Sequence, residues 1–457
     1  MRIRGELIKM DLKEITTDVV SRAMKAGASA AEAVVREGNE FSTVVRLGQV
    51  ETLKESGAKV MGVRVFVGKH AASTYTSDFT PAGVEQLVNS AVALAKITSE
   101  DEFGGIPEKD QLGSISGDLD LYHKDVYSLS TEDRIDYARR AEKAATSADA
   151  RIANSEGGSF DAADGRKILA NSHGFVGEYQ RSYCSVSAVP VAKDEAGNMQ
   201  RDFWYSVARS IKLLENPEEV GKVAAQRTLR RLGARKAKTA KVPIIFDPLV
   251  ARALLESIAD AVNGDSIYRG ASFLAGKLGE KIAGDNVTIV DDGTVRGGFG
   301  TSPFDGEGVP TRRTVVIEKG ELKSYLLNTY TAKKLKLATT GNASRGLAGT
   351  PGIGVGNFFL EAGTKDPKQM ISDVPDGLYV TEFLGFGVNL VTGDFSRGAS
   401  GMWISGGQLA YPVEEITVAG NLKDMLFHIS EIGSDLEFRG AVACPTLRID
   451  GMTVAGE

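Results

Sequence analysis

Hydrophobic and polar positions along the chain recur with two different periods, and the pattern divides the sequence into helices and strands. Asp11, with Glu14 three residues later, is typical of a helix N-terminus. Apolar residues follow at helical spacing, and this helix is expected to end near Gly27. Residues 31–77 are rich in Val, Thr, Phe and Tyr and alternate at strand spacing, which predicts a small antiparallel sheet. A second helical pattern begins at Thr80 and completes this first unit.

A polar, glycine-containing stretch at 100–118 is typical of a linker and indicates a domain boundary near residue 105. Beyond it, the pattern predicts a helix over 131–147 and strands through 175–210 that include a hairpin turn. Another helix is expected to begin at Asn216-Pro217. The basic run RTLRRLGARKAKTAK then follows, without an aromatic residue. We interpret it as a solvated helix end plus a linker rather than a nucleic-acid contact, because isolated charge runs usually lie at the surface.

A third region begins at Val242 with the buried-strand pattern VPIIF, followed by a helix start at Asp247-Pro248. Hairpin patterns recur at 318–321 and over 379–411, and a helix is predicted over 421–432. The fold class is therefore α+β. We expect an N-terminal α/β domain over 1–105, a middle α+β domain over 106–240, and a glycine-rich, β-dominated C-terminal domain over 241–457.

Composition narrows the classes of function. A net charge of -6 argues against a nucleic-acid or membrane surface, since such proteins usually carry a basic excess. The N-terminus lacks the apolar core of a signal peptide, and no stretch approaches the roughly 18 apolar residues of a membrane span. We therefore expect a cytoplasmic protein with neither nucleic acid nor membrane as a partner. Its 52 glycines predict many turns and close backbone contacts.

A search for catalytic motifs finds no active site. Zinc-dependent hydrolysis with ligands from one helix requires two histidines one turn apart. None of the four histidines has such a neighbour. No GxSxG or Walker A motif is present, and GIGVGN lacks the GxGxxG spacing. Cys184 and Cys444 form no CxxC pair. The histidines, which we interpret as surface or core residues, are His70, His123, His173 and His428.

Several long segments resemble the PmbA/TldE branch of the TldD/PmbA family. They are SFLAGKLGEKIAGDNVTIVDDGT from Ser272, SPFDGEGVPTRRTVVIEKGELKSYLLNTYTAKKL from Ser302 and YPVEEITVAGNLKDMLFHISEIGSDLEFRG from Tyr411. With shorter motifs, they cover most of 242–456, whereas the N-terminal third matches more loosely. The resemblance implies a subunit that pairs with a zinc peptidase and takes unfolded or extended peptides.

The resemblance also locates the family's metal site. The catalytic branch has an HExxxH helix just before the segment that here reads YRGASFLAGKLGE. Without a gap, the matching residues are Leu255-Glu256-Ser257-Ile258-Ala259-Asp260. Leu255 and Asp260 replace the histidines, and Glu256 occupies the position of the general base. Glu256 and Asp260 could hold a cation weakly or play a solvated or capping role. The family's cysteine ligand cannot be matched to Cys444, so we expect no catalytic and no metal-binding residue in this chain, and zinc in its partner.

Two functions from different classes follow from the resemblance. The first is a non-catalytic partner subunit of a TldD/TldE-type zinc metallopeptidase complex, expected as a heterodimer, with a homodimer possible in isolation. The second is an independent binding or regulatory protein, such as a modulator of DNA gyrase. The loss of the ligands within a retained family sequence favours the first, in which the chain is inactive alone.

For the peptide, we expect the loops 301–313 and 340–357 to form the walls of a site that adds an extended strand to a sheet edge. Ordinary surface turns are the alternative. The candidate contacts in these loops are Arg312, Arg313, Asn342 and Arg345.

Overall fold

The computed structural model describes residues 11–456, and its first elements follow the sequence pattern. Asp11 caps the first helix by accepting a hydrogen bond from the backbone N–H of Lys13, and Thr80 caps the second by accepting from Gly83. Both helix starts and the sheet between them are confirmed. The elements are α1 (Leu12–Lys25), β1 (Ala30–Arg46), β2 (Gln49–Val67), β3 (His70–Thr76) and α2 (Pro81–Ala95).

The middle of the chain also follows its pattern. Ser130 and Asn216 cap the two helices, and a turn at 194–198 forms the predicted hairpin. Short 3-10 helices occur at Lys109–Gln111, Lys124–Tyr127 and Ile211–Leu213. The main elements are α3 (Thr131–Thr146), β4 (Ile152–Asn171), β5 (Val176–Lys193), β6 (Met199–Arg201), β7 (Trp204–Ala208) and α4 (Pro217–Leu229).

One seven-stranded sheet joins these two parts of the chain. Its order is β3-β2-β1-β4-β5-β6, with β7 paired to β5. Strands β1 and β4 pair antiparallel, from Glu32 opposite Asn171 to Val45 opposite Gly158. The core under α1 and α2 includes Ile168 of β4. Strands from either side of residue 105 are therefore neighbours at the centre of the sheet.

The third part of the chain holds the largest core. Strands β17, β16, β15, β8 and β20 form a ring, because β17 also pairs with β20, and β18 extends it from β20; a second sheet has the order β11-β10-β9-β14-β19. The elements are β8 (Ala240–Phe246), α5 (Pro248–Ala261), α6 (Gly264–Tyr268), β9 (Ile289–Asp292), β10 (Arg313–Glu318), β11 (Glu321–Leu322), α7 (Thr329–Leu335), β12 (Ala343–Ser344), β13 (Gly352–Ile353), β14 (Asn357–Leu360), α8 (Pro367–Ser372), β15 (Asp376–Leu384), β16 (Asp394–Ser405), β17 (Gln408–Asn421), α9 (Leu422–Phe427), β18 (Ile429–Ile432), β19 (Val442–Ala443) and β20 (Leu447–Ala455).

The predicted α+β class is confirmed, and the hairpins at 318–321 and 379–411 are present. The helix predicted over 421–432 is wrong in its second half. It ends at Phe427, and the next residues form β18, which pairs with β20. Apolar residues continue at helical spacing through Ile429, but pairing with a neighbouring strand overrides that local pattern. None of the helices within residues 11–456 is long and apolar enough to cross a membrane.

The interpretation of the basic run as a solvated helix end is also wrong in part. Arg227 is buried, with its guanidinium 3.5 Å from Asp202 and 3.3 Å from Asp247. Arg231 pairs with Glu382 at 2.6 Å. Acidic partners that are distant in sequence compensate these charges, which a sequence pattern cannot reveal. The start of the run therefore forms ion pairs that connect the middle and third parts of the chain.

Candidate functional site

Helix α5 carries the positions at which the family resemblance places a metal. Asp247 caps the helix by accepting a hydrogen bond from Leu249, and Pro248 occupies its first turn. Leu255 is only 4% exposed and belongs to the core of the third part. It lines a small apolar cavity of about 30 Å³, which Cys444 also lines. A hydrocarbon side chain has no lone pair, so this position cannot bind a metal ion.

The other residues around α5 do not fit zinc either. The carboxylate of the exposed Glu256 lies 3.5 Å from the guanidinium of Arg252, one turn earlier. Loss of hydration raises the pKa of the Asp260 carboxyl. Burial raises the pKa of the Cys444 thiol well above its usual range, which disfavours the thiolate that binds metal. Within residues 11–456, no three His, Cys, Asp or Glu side chains lie close enough to hold an ion together.

A larger cavity, of about 320 Å³, lies where the seven-stranded sheet meets the loops of the third part. Residues from both loops that we expected to form a peptide site line this cavity. Arg312 comes from the first loop, and Asn342 and Arg345 from the second. We call it the basic cavity, after four cationic residues on its wall: Arg36, Lys167, Arg181 and Arg312.

The strand register explains how the sheet supplies three of these cations. Arg36 of β1 lies directly opposite Lys167 of β4, and Lys167 lies directly opposite Tyr179 of β5. Arg181 follows Tyr179 by two residues and therefore lies on the same face of the sheet. The ring of Phe304 packs edge-on against Tyr179, with 5.3 Å between the ring centroids. The four sheet residues thus form one patch beside the loops of the third part.

The patch carries positive charge without an ionic partner. In the described part of the chain, none of Arg36, Lys167, Arg181 and Arg312 lies within 4.0 Å of a carboxylate. Arg36 donates to the backbone carbonyl of Arg345, and Arg181 donates to the hydroxyl of Tyr179 at 2.5 Å. Loss of hydration lowers the pKa of Lys167, and the charges of Arg36 and Arg181 lower it further. This wall of the cavity is therefore an electropositive surface.

Tyr179 responds to the same charges. Burial acts to raise the pKa of its hydroxyl, but the positive charges of Lys167 and Arg181 outweigh that effect and leave the pKa lowered. The electropositive wall therefore favours negative charge at a group of the protein itself.

Two buried carboxyl groups also line the cavity, and neutral donors bind both. Asp291 accepts hydrogen bonds from the side-chain amide of Asn342 and the backbone N–H of Gly356, each at 2.7 Å. Burial raises the pKa of Asp291 to about 6. Asp305 accepts from the backbone of three residues, and burial together with the nearby Glu307 carboxylate raises its pKa. These acids hold the loops in place and do not form ion pairs with the cations.

Close backbone packing completes the floor. A side chain at Gly300 would place its Cβ atom 1.9 Å from the carbonyl oxygen of Gly356. The two loops can therefore approach each other only with glycine at this position.

The expected peptide contacts differ in what else they bind. Arg345 is buried, and its guanidinium lies 2.7 Å from Glu32 of the sheet. The amide of Asn342 donates to Asp291 and to the carbonyl of Gly354. Arg313 pairs with Glu361 at 3.0 Å and does not line the cavity. Of the four, only Arg312 both lines the cavity and keeps a charge without an ionic partner in the described chain.

Sequence reasoning did not single out the sheet residues of the basic cavity. Their signal was a basic residue on each of three long strands, and these residues form a group only because β1, β4 and β5 are neighbours in the sheet and the register aligns Arg36 with Lys167. That register joins positions more than a hundred residues apart.

Comparisons with known proteins all identify the same family. Models of the PmbA/TldA metallopeptidase match as domain 1 over 31–95, as the central domain over 124–232 and as the C-terminal domain over 239–456. Metalloprotease PmbA of Escherichia coli O157:H7 is 37% identical, over 97% of this chain and 97% of that protein. A Metalloprotease PmbA homolog of Haemophilus influenzae is 34% identical, over 98% and 97%.

Solved structures agree over the whole length. A Bacteroides thetaiotaomicron protein, described as a candidate modulator of DNA gyrase, superposes with a TM-score of 0.91 at 27% identity, covering 97% of this chain and 99% of that one. TldE from Thermococcus kodakarensis superposes with a TM-score of 0.85 at 22% identity, covering 97% and 100%, and shares the fold.

Proposed function

The chain belongs to the PmbA/TldD metallopeptidase family, and on that premise we propose that it is a non-catalytic subunit of a peptidase complex whose zinc site lies in an HExxxH-bearing partner. The observation that carries the proposal is the burial of Leu255 in the apolar core, at the position of the first histidine. Glu256 occupies the position of the general base, but without a metal-bound water it has no nucleophile to activate. The chemistry therefore belongs to the partner.

In this proposal, the chain helps to hold an unfolded or extended peptide for the partner. The basic cavity supports such a role, because it combines a volume of about 320 Å³ with walls from two loops and a sheet. The complex is a heterodimer that contains zinc in the partner and none in this chain.

The test is co-expression with an HExxxH relative from the same genome, followed by size-exclusion chromatography and metal analysis. An unfolded peptide is then offered to each subunit alone and to the mixture. We expect a stable complex, zinc that follows the partner, and cleavage that requires the partner. The proposal would be overturned if this chain alone cleaved the peptide and bound about one zinc per chain.

Reciprocal variants sharpen the assignment of the base. Replacing the HExxxH glutamate of the partner with glutamine should abolish cleavage, since a general base contributes at least about a hundredfold. Glu256→Gln in this chain should leave the rate of the complex within about twofold. A large loss with Glu256→Gln, in a complex of unchanged size and zinc content, would show that this chain takes part in the chemistry.

A further inference from the structure

We propose that the basic cavity is a carboxylate-binding subsite, which takes an acidic side chain or the C-terminal carboxylate of a peptide. The inference deepens the proposed function and rests on it for the peptide. The binding groups are Arg36, Lys167, Arg181 and Arg312.

The cations of the basic cavity repel one another. Arg36 and Lys167 are directly opposed on adjacent antiparallel strands, and like charges in that position destabilise a sheet. Arg181 adds a third positive charge on the same face, and its field lowers the pKa of Lys167. A bound anion would convert this repulsion into attraction.

No carboxylate of the described chain forms an ion pair with these four cations. Elsewhere in the described chain, the buried Arg227 has two acidic partners, Asp202 and Asp247. In the basic cavity, by contrast, the two lining carboxyl groups are bound by amide donors. The positive charge therefore stays available to a ligand.

The groups that line the cavity suit a carboxylate on a peptide. A guanidinium group presents paired N–H donors that match the two oxygens of a carboxylate, and Arg181 and Arg312 are both exposed enough to reach a ligand. Phe299, Phe304 and Val355 supply an apolar wall. Charged donors beside apolar surface suit an acidic residue with an apolar neighbour in an extended peptide. Phosphate shares the anion chemistry but makes no use of the apolar wall.

The test measures binding by the full-length chain, without its partner. Fluorescence anisotropy is recorded with a labelled, unstructured peptide that contains two glutamates, with its glutamine counterpart, and with free-acid and amidated C-termini of each. We expect the acidic peptide to bind at least about tenfold more tightly than the neutral amide, because charge-assisted hydrogen bonds are the strong ones. Equal affinity for the acidic and neutral peptides would overturn the inference.

A matched pair of variants locates the effect. Arg181→Gln combined with Arg312→Gln should weaken binding of the acidic peptide about tenfold or more and remove the preference for glutamate. Arg313→Gln is the control, since Arg313 is adjacent in sequence, carries the same charge and pairs with Glu361 outside the cavity. Equal losses in the double variant and the control would indicate a general charge effect and overturn the site. Circular dichroism checks folding, and Lys167→Met provides a second variant that should show the same loss.

Two further outcomes separate the possible failures. In the first, inorganic phosphate displaces the peptide at a lower concentration than acetate does, and the chain shows no preference among the peptides. This result would assign the cavity to phosphate and overturn the inference. Failure to form a complex with the HExxxH relative would overturn the proposed function. A glutamate preference in the isolated chain would still support the subsite in that case.

Discussion

Four buried charged side chains connect the seven-stranded sheet to the third part of the chain. Glu32 lies beside the guanidinium groups of Arg64, at 2.5 Å, and Arg345, at 2.7 Å, and Arg64 also lies 3.8 Å from Glu307. Burial acts to raise the pKa of Glu32, but the two guanidinium groups outweigh it and hold that pKa below its usual value. Glu32 therefore stays ionised in the interior because both arginines are present.

Removing Arg345 tests this compensation. Arg345→Met should lower the free energy of unfolding by about 3 kcal/mol, because it leaves Glu32 buried with one cationic partner fewer. The control is Arg313→Met, which breaks an exposed pair with Glu361 and should cost less than about 1 kcal/mol. Denaturant unfolding of both variants measures the difference. Similar costs would mean that Glu32 does not depend on Arg345.

Asp291 should make stability depend on pH. Its pKa in the folded protein is about 6, above its ordinary value. Below the ordinary pKa, the carboxyl is protonated in both the folded and the unfolded chain. As pH rises towards 6, the unfolded chain loses its proton first, so stability falls with rising pH and levels off above about pH 7.

The Asp291→Asn variant isolates this titration. Its side chain cannot ionise, so its stability relative to the native chain should improve by roughly 2 kcal/mol between about pH 4 and pH 7. Any constant loss from altered hydrogen bonds to Asn342 and Gly356 cancels in that comparison. Unfolding midpoints of both proteins across this range provide the measurement. A stability difference that is constant with pH would contradict the assignment.

At the scale of the elements, the sequence predicts what local chemistry determines. Helices α1, α2, α3 and α4 begin where a capping residue meets an apolar repeat, and these starts could be read directly. The strand β18 could not, since its residues continue the apolar spacing of α9 and become a strand only by pairing with β20. The wall of the basic cavity was hidden for the same reason. Its cations come together only through the pairing of β1, β4 and β5.

Helix α5 shows the opposite case, in which sequence comparison found the position and the structure gave its environment. The double variant Leu255→His and Asp260→His rebuilds the HExxxH spacing around Glu256. We expect it not to bind zinc stoichiometrically, because position 255 lies in an apolar core and the nearby Cys444 thiol is held protonated. A buried histidine in place of Leu255 should also destabilise the protein by about 2 kcal/mol or more. Elemental analysis and thermal unfolding test both points, and one tightly bound zinc per chain would contradict them.

At the scale of the whole molecule, charged contacts connect parts of the chain that are distant in sequence. Glu32 and Arg345 join the sheet to the third part, and Arg227 joins α4 to Asp247 at the start of α5. The basic cavity lies at the first of these junctions, since Arg36 donates to the carbonyl of Arg345. A peptide bound there would contact both the sheet and the loops. The site therefore forms only when the sheet and the third part of the chain are folded against each other.

The seven-stranded sheet makes a prediction about fragments. A chain cut at residue 105 keeps β1 but loses β4, which pairs with β1 from Glu32 to Val45 and supplies Ile168 to the core beneath α1 and α2. The unpaired edge is long and its inner face is apolar, so fragment 1–105 should aggregate or remain unfolded. Fragment 1–238 keeps all seven strands and should unfold cooperatively, though at a lower temperature than the full chain, because Glu32 has lost Arg345. Size-exclusion chromatography and circular dichroism on both fragments provide the test. A monomeric, cooperatively folded fragment 1–105 would show that the pairing of β1 with β4 is not needed to form the first unit, and that a boundary near residue 105 separates independent folding units.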